Sequence, residues 1–330
     1  MATIKDVANN VGVSICTVSR ALANKNYVKP ETRERVLQAA KELGYKPNYI
    51  AKSLREGNTR TIGLILPDIA NMYYPKIAKY IERYFADQGY MILLCNANRD
   101  IEKEVRLVEM LKSRDVDGVL VWSSFQKIDH FQSFAEANIP YVFVNRDFKQ
   151  ENCVPCDNFY GGYSMIRYLI ENGHRRICAM FPSFENPVRK ECYAGAVKAT
   201  EECPDCHVDY IFDAEKMEVS HDQIEEHLQV GTAPTAFFAA SDMIAISLYT
   251  AIQKNGWRIP EDISVVGYDN ISFTSMLNPP MTTFEQTERE LAKAAVDALL
   301  ALIAGEKIQS SKKLQGKIII RDSVLEIGKN

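Results

Sequence analysis

The chain has 330 residues, of which 46% are hydrophobic, and its formal net charge at pH 7 is −4. This length predicts two or three folding units with enough apolar material for a buried core, and the composition excludes a disordered chain. The charge is unevenly distributed, because residues 1–60 contain 11 Lys and Arg but only 5 Asp and Glu. The rest of the chain is therefore acidic, and only the N-terminal part suits a polyanionic partner such as nucleic acid.

Two features bear on the compartment. The sequence has no run of about eighteen apolar residues, so we expect no membrane span. The opening residues, MATIKDVANN, carry neither the basic region nor the apolar region of a secretory signal. We therefore expect a cytoplasmic protein.

Residues 3–24 have the pattern of two short helices around a tight turn. Thr3 is expected to cap the first helix, with Asp6 as its capping-box partner. Gly12 suits the backbone of the turn, and Ser14 is expected to cap the second helix. The segment therefore predicts a helix-turn-helix.

The second helix is expected to run to about Leu22 and to bury Val18 and Leu22. The DNA-binding residues predicted on it or at its start are Ser14, Ile15, Cys16, Thr17, Ser19 and Arg20. An exposed set near a helix start is how a recognition helix meets base edges in the major groove. Arg20 is the candidate for a contact to guanine. The alternative interpretation is a generic three-helix bundle whose charges are simply solvated.

A third helix is expected from about Pro30 to Gly44. Its predicted buried stripe is Val36, Leu37, Ala40 and Leu43. A short helical stretch follows Pro47, in which Leu54 lies beside Lys52 and Arg55. Apolar side chains next to basic ones suit a wedge that enters the minor groove, whereas a linker helix packed on the body is the alternative.

From Thr61 onward, strands and helices alternate as in a parallel, doubly wound sheet, and the pattern restarts near residue 160. Two such lobes enclose a cleft at the carboxyl ends of their strands. The polar residues expected there are Asp68, Asn145, Arg146, Ser241, Asp242 and Asp269. They suit the hydroxyl groups of a small ligand, unless some only cap helices, as is expected of Asp242.

The eight cysteines include two CxxC pairs, Cys153/Cys156 and Cys203/Cys206. Such pairs could hold zinc in a four-thiolate site. In a reducing cytoplasm we expect free thiols and no metal instead. Phosphate-binding, dinucleotide-binding, HExxH and GxSxG motifs are absent from the sequence, so we expect neither an enzyme nor a cofactor. His174 is expected at a turn or a helix cap.

The chain closely resembles the LacI/GalR family of bacterial transcription regulators, almost end to end. The head carries TIKDVA, GVS, TVSRAL, ETRERV and ELGYKPN. The body carries TIGLILPDIANMYYPKI, DGVLV, DNFYGGY, LIENGHRRI, PTAFFAASDMIA, ISVVGYDN and PPMTTFEQ. The resemblance implies an α/β chain with an all-α helix-turn-helix head and a two-lobed, doubly wound parallel-sheet body, like a type I periplasmic binding protein.

It also implies a division of the chain. The head would be 1–46 and the hinge helix with its linker 47–59. The N-terminal effector-binding lobe would combine 60–158 with 288–316. The C-terminal lobe would combine 159–287 with 317–330.

The resemblance further implies roles for single residues. Ile15, Cys16, Ser19 and Arg20 match positions that read the major groove. Thr3, Thr32 and Asn48 match phosphate or backbone contacts, and Ala51, Lys52 and Leu54 match the hinge helix. The effector-pocket positions or their neighbours are Tyr73, Tyr74, Arg146, Asp157, Arg189, Cys192, Ser241, Asp242 and Asp269.

Several residues depart from the family pattern. Ala23 stands where asparagine is usual, and Ile15-Cys16 is an uncommon reading pair. In the pocket, Cys192 replaces a common arginine, Ser241 an asparagine and Asn145 an aspartate. Arg189, one turn away from Cys192, could supply the missing guanidinium.

We therefore expect a homodimeric, sequence-specific repressor that binds a double-stranded operator and a small polar effector, most simply a sugar or sugar derivative. Two other functions stay open. A catabolite-control regulator of the same family would answer to a phosphocarrier protein. A solute-binding protein would explain the lobes but not the basic head.

Overall fold

The computed structural model describes residues 2–22, 28–45, 58–147, 152–182, 186–213, 233–308 and 312–328. It forms two compact units, Met1–Thr59 and Arg60–Asn330, which are described separately below. Among the described residues, no helix combines the length and the apolar character that a membrane crossing requires.

The described residues of the first unit form helices α1 (Ile4–Val11), α2 (Ile15–Leu22) and α3 (Pro30–Glu42). The predicted capping box is confirmed: the Thr3 hydroxyl accepts from the Asp6 amide at 3.4 Å, and the Asp6 carboxylate accepts from the Thr3 amide at 2.7 Å. Gly12 closes α1 with a φ of 71°, and Ser14 Oγ accepts the Thr17 amide at 3.1 Å. The turn between the two helices is thus built by the residues that the sequence singles out.

The core of this unit corrects one prediction. Val7, Val18 and Val36 are fully buried where the three helices meet. The stripe of α3 continues through alanines at 39 and 40, whereas Leu37 is 47% exposed and Leu43 is 37% exposed. Leu37 follows Val36 by about 100° around the helix, and three short helices cannot enclose so wide an apolar face.

The second unit begins with a parallel sheet in the order β2-β1-β3-β4-β5. Its strands are β1 (Thr61–Leu66), β2 (Met91–Asn96), β3 (Gly118–Val121), β4 (Tyr141–Val144) and β5 (Cys153–Val154). The helices between them are α4 (Tyr73–Ala86), α5 (Ile101–Ser113) and α6 (Gln132–Glu136), the last preceded by a 3-10 turn at Asp129–Phe131.

The second sheet has the order β11-β10-β9-β8-β6-β7, and only the β10–β11 pair is antiparallel. Its strands are β6 (Arg176–Pro182), β7 (His207–Asp213), β8 (Ala236–Ala239), β9 (Ser264–Tyr268), β10 (Thr282–Glu285) and β11 (Lys317–Ile319). The helices that the structure describes around this sheet are α7 (Asn158–Glu171), α8 (Pro187–Glu201) and α9 (Asp242–Lys254), with a 3-10 turn at Ser272–Ser275.

The chain crosses between the two sheets more than once. After β10, helix α10 (Glu288–Ile303) returns to pack against α4 and the strands β3 to β5 of the first sheet. Leu314 bridges Cys156 beside β5, and the chain then enters the second sheet as β11. The alternating pattern predicted the doubly wound sheets, and the fold class is confirmed.

The cysteines correct a second prediction. Cys203 and Cys206 form a disulfide in the connection from α8 to β7, whereas free thiols were expected. The two cysteines are three residues apart in this connection, so their sulfurs can meet without distortion of α8 or β7. Cys153, in β5, and Cys156, just after it, are buried, and neither takes part in the disulfide. The helix predicted near Ser220 to Leu228 lies outside the described residues.

Candidate functional site

The first candidate surface is the exposed side of α2 in the head. Cys16 and Arg20 are exposed, Ile15 is 39% exposed, and Ser19 is half-buried. On the opposite side, Val18 packs into the core. The helix therefore presents a small polar and apolar set together with one guanidinium, which is the chemistry of base readout in a groove.

Hydroxyl groups next to this surface make hydrogen bonds at the first turns of α1 and α2. Ser14 Oγ and Thr17 Oγ1 are 2.9 Å apart, and Thr3 Oγ1 donates to Asp6 at 2.8 Å. Thr32 is half-buried in the first turn of α3. The predicted contact residues Asn48, Ala51, Lys52, Leu54 and Arg55 lie outside the described residues.

The second candidate site lies in the larger unit, where α8 meets the end of β9. Arg189 Nη2 is 3.5 Å from Asp269 Oδ2, and their side chains are 10% and 1% exposed. Arg189 also lies over the ring of Tyr268, with its Cζ 5.4 Å from the ring centroid. The sequence predicted that Arg189 could supply the guanidinium that position 192 lacks, and the structure places it on the predicted carboxylate.

A chain of amide side chains continues from Asp269 to the other sheet. Gln286 Nε2 donates to Asp269 Oδ1 at 2.6 Å, and Asn145 Nδ2 donates to Gln286 Oε1 at 3.0 Å. Asn158 Nδ2 then donates to Asn145 Oδ1, also at 3.0 Å. Because Asn145 follows β4 and Asp269 follows β9, this network connects the carboxyl ends of the two sheets.

The backbone at both ends of the network is strained. Asp269 has a φ of 118°, Asn145 a φ of 56° and Asn270 a φ of 48°. A non-glycine residue in this region costs on the order of 1–3 kcal/mol, and such residues concentrate at ligand sites. These strained residues lie at the two strand ends that Gln286 connects.

Aromatic residues of the first sheet form one wall. The rings of Tyr73 and Tyr74 at the start of α4 lie edge to face at 5.4 Å, and each meets Trp122 at 5.8 and 5.7 Å. Burial raises the pKa of Tyr74 to about 12, against the opposing effects of Arg189 and Arg99. Tyr74 therefore stays a neutral hydroxyl that can donate a hydrogen bond.

Burial also governs the carboxylate. It raises the pKa of Asp269 to about 6, although Arg189 and the Gln286 hydrogen bond both favour the charged form. At pH 7 the pair is thus a charged acceptor beside a charged donor.

Several buried polar atoms around this centre have no hydrogen-bond partner within the described residues. They are Tyr73 Oη, Arg189 Nη1, Asn158 Oδ1 and Tyr268 Oη. An unpaired buried donor or acceptor costs about 1–3 kcal/mol, so native structures rarely keep several together without a ligand or water. The cluster therefore has the character of a polar ligand site.

Other predicted effector residues contribute differently. Ser241 Oγ lies 3.5 Å from Asp269 Oδ2, so it joins the cluster. Cys192 is fully buried on α8 and contacts α7, where a Cβ at Gly162 would meet its carbonyl at 1.8 Å. Burial raises the pKa of this thiol to about 12, which leaves it a small neutral packing group.

Two carboxylates of the predicted effector set accept hydrogen bonds from the protein itself. Asp157 caps α7, accepting the Tyr160 amide at 2.9 Å. Asp242 was expected to cap its own helix, and that is wrong: its carboxylate accepts from the Ile271 amide at 2.8 Å and from Thr283 Oγ1 at 2.6 Å. Asp242 is the first residue of α9 and is fully buried. Its carboxylate is thereby held by the loop that follows Asp269 and not by its own helix.

Arg146 lies to one side of the cluster. Its Nη2 donates to the Phe125 carbonyl, and burial lowers its pKa to about 10, partly offset by Glu104. Glu104 in turn accepts from Ser123 Oγ at 3.0 Å and from His130 at 2.9 Å. The guanidinium of Arg146 thus contacts the loop after β3, and its role in effector binding stays a prediction.

Sequence reasoning missed Gln286, Asn158 and Trp122 as site residues. Gln286 directly follows β10, so the rule that polar residues at strand ends face the cleft could have found it. Asn158 and Trp122 carried no such signal, because the first lies inside a helix start and the second reads as a core aromatic.

A contact beside the cluster ties it to α4. Lys76 Nζ donates to the Asn270 carbonyl at 3.0 Å and to Glu288 at 2.9 Å. A surface pocket of about 470 Å³ opens here, lined by Met72, Pro75, Lys76, Asn270, Ile271, Ser272, Ser275 and Arg321. None of the predicted effector residues lines this pocket.

Comparison with known proteins identifies both parts of the chain. The profile of bacterial regulatory proteins of the lacI family matches residues 3–48, and that of the periplasmic binding protein-like domain matches residues 166–324. The chain is 34% identical to the HTH-type transcriptional repressor PurR of Pasteurella multocida, over 98% of this chain and 99% of that protein. It is 33% identical to PurR of Vibrio campbellii, over 99% and 100%.

Solved structures agree with this. The lac repressor dimer bound to operator and the anti-inducer ONPF is similar over 98% of this chain and 99% of its own, with a TM-score of 0.86 and 26% identity. The complex of the transcriptional regulator CelR with cellobiose is similar over 98% and 100%, with a TM-score of 0.72 and 28% identity.

Proposed function

The chain belongs to the lacI family of bacterial regulatory proteins, and on that premise we propose that it represses transcription as a homodimer whose operator affinity is set by a small polar effector. It is a DNA-binding repressor with an effector-binding body, and it is not an enzyme. Because it acts on operator DNA, we place it in the cytoplasm.

For the DNA contact we propose that α2 enters the major groove. Ile15, Cys16, Ser19 and Arg20 would face the bases, and Thr3, Ser14, Thr17, Thr32 and Asn48 the backbone. The exposure of the α2 residues supports this. Residues 47–59 would form the hinge, with Ala51, Lys52, Leu54 and Arg55 in the minor groove, and two heads related by a two-fold axis would read a near-palindrome.

For the effector we propose a hydroxyl-bearing molecule, a sugar or sugar derivative, at the Arg189–Asp269 pair. One guanidinium and one carboxylate can bind adjacent hydroxyls as donor and acceptor, and the flat faces of Tyr74 and Trp122 suit the apolar face of a ring. The unpaired Arg189 Nη1 and Tyr73 Oη carry this proposal, because a ligand would satisfy both.

For the response we propose a population shift between two arrangements of the lobes 60–158 with 288–316 and 159–287 with 317–330. An effector acts only through unequal affinity for those arrangements. The network from Asp269 through Gln286 to Asn145 spans both sheets, so a ligand that rearranges it changes the relation between the lobes.

The test is a selection of bound duplexes from random DNA, followed by fluorescence anisotropy of the selected operator. A panel of sugars and nucleosides should then change the operator affinity. No duplex preference would contradict the repressor proposal. An unresponsive panel combined with a response to a phosphocarrier protein would replace the small effector by the catabolite-control alternative.

A further inference from the structure

The CxxC pair at the end of α8 takes no part in the proposed DNA or effector contacts. Cys203 follows the last turn of the helix, and its carbonyl accepts the Cys206 amide at 2.9 Å. This turn brings both sulfurs to one side of the connection, where they are joined. Cys203 is 7% exposed and Cys206 is half-buried, so the pair lies just below the surface.

A carboxylate completes the group. The donor atoms of Cys203, Asp205 and Cys206 lie within 4.8 Å of one another, and Asp205 Oδ1 is 3.1 Å from Cys203 Sγ. The other oxygen, Oδ2, accepts from Arg175 Nε at 2.8 Å. Arg175 is itself anchored, because its Nη1 donates to the carbonyls of Ile170 and His174 at 2.9 and 3.1 Å.

This arrangement orients a carboxylate toward two sulfurs, as an outer-shell partner does in a metal centre. After reduction, two thiolates and one carboxylate would form a donor set for a thiophilic divalent cation, with the fourth tetrahedral position open to water.

We propose that the reduced Cys203–Cys206 pair, together with Asp205, binds one Zn²⁺ per chain. A dithiol reductant first converts the disulfide to two thiols and is itself oxidised to a disulfide. Zn²⁺ then replaces the two thiol protons, which are released to solvent. The oxidised and the metal-bound forms exclude each other, because both use the same two sulfurs.

The experiment uses the full chain, reduced and freed of reductant under anaerobic conditions. Zn²⁺ is titrated against a chromophoric chelator, and Cd²⁺ is titrated separately to record the thiolate-to-metal charge-transfer band. We expect one equivalent of tight binding in the reduced chain and none in the oxidised chain. Proton release of about two per metal should accompany binding at a pH below the thiol pKa.

Variants separate this site from other thiols. Asp205 is 71% exposed, so Asp205→Asn should fold normally and weaken Zn²⁺ binding by about tenfold or more. Cys203→Ser/Cys206→Ser should abolish both signals. Cys16→Ser, which removes an exposed free thiol of the head, is the matched control for the metal titration. It should bind Zn²⁺ with the affinity of the parent.

The proposal is overturned if the reduced parent binds no more Zn²⁺ than the double serine variant. It is also overturned if Asp205→Asn keeps full affinity, because the carboxylate would then be no ligand.

Discussion

Arg189 Nη2 and Asp269 Oδ2 lie 3.5 Å apart in a site from which solvent is almost excluded. Each residue belongs to a different segment, the first turn of α8 and the end of β9, so the pair fixes two elements of the second sheet around one point. Truncating one partner of a buried charge pair leaves the other charge unpaired, which makes this contact sensitive to substitution.

Asp269→Asn should therefore remove effector binding. The amide keeps the shape of the side chain but loses the charge that faces Arg189, and affinity should fall by at least about 30-fold, on the order of 2 kcal/mol or more. Calorimetry with the identified effector measures this. Asp209→Asn, at a carboxylate that is 56% exposed, is the control and should bind normally. Unchanged affinity in Asp269→Asn would place the ligand elsewhere.

Arg20→Ala should abolish operator preference and leave weak, salt-sensitive binding to any duplex. Loss of one bidentate base contact costs about 1–3 kcal/mol of discrimination, whereas phosphate contacts persist. Footprinting on the selected operator and on random competitor gives the ratio. Lys41→Ala, in the last turn of α3, provides a charge-matched control. A footprint that Arg20→Ala leaves intact would refute the assignment of the recognition helix.

The contribution of Asp242 to the free energy of unfolding of the larger unit should decrease as pH rises. Burial, and next the charge of Asp269, raise the pKa of Asp242 to about 7 from an ordinary value of 3.8. The native state thus holds a proton that the unfolded chain has lost, so this group stabilises at low pH and its contribution declines as pH rises toward 7.

Asp242→Asn removes that titration. The free energy of unfolding of the variant, relative to the parent, should rise by about 2–3 kcal/mol between pH 5 and pH 8. Urea titrations at both pH values test this. His174 acts in the opposite sense, since burial lowers its pKa to about 4, but both proteins share it and it cancels in the comparison. A difference independent of pH would contradict the assignment.

Substitutions of Lys76 and Glu288 should have non-additive effects on the free energy of unfolding. Their side chains are 29% and 4% exposed and lie 2.9 Å apart, so Lys76→Met leaves a buried carboxylate without its ion partner. We expect Lys76→Met to lower the free energy of unfolding by about 1–3 kcal/mol, after allowance for partial exposure. Lys76→Met/Glu288→Met should recover most of that loss. Additive losses in this double-mutant cycle would show that the pair is not coupled.

Much of the architecture was predictable because strong periodic signals agree with one another. The caps at Thr3 and Ser14, the glycine at position 12 and the alternating strands and helices all correspond to local backbone needs that the residue type reveals. The resemblance also pointed to Arg189 as the replacement for the guanidinium missing at Cys192, but its partner Asp269 became evident only in the structure.

The rest depended on tertiary context. Leu37 has the same apolar character as Val36, and only the small size of the head leaves it exposed. Asp242 reads as a cap, yet Ile271 and Thr283, far along the chain, determine where its carboxylate points. Gln286 and Asn158 each hydrogen-bond to Asn145 at the end of β4, and no spacing within the sequence encodes these contacts.

The most direct test is the reciprocity of effector and operator in the intact chain. If the ligand at Arg189–Asp269 sets operator affinity, the factor by which effector changes operator affinity must equal the factor by which operator changes effector affinity. We expect equal factors, roughly 5- to 150-fold, in the parent and a factor of one in Asp269→Asn. If the effector changes operator affinity by the same factor in the parent and in Asp269→Asn, the ligand at Arg189–Asp269 does not set operator affinity.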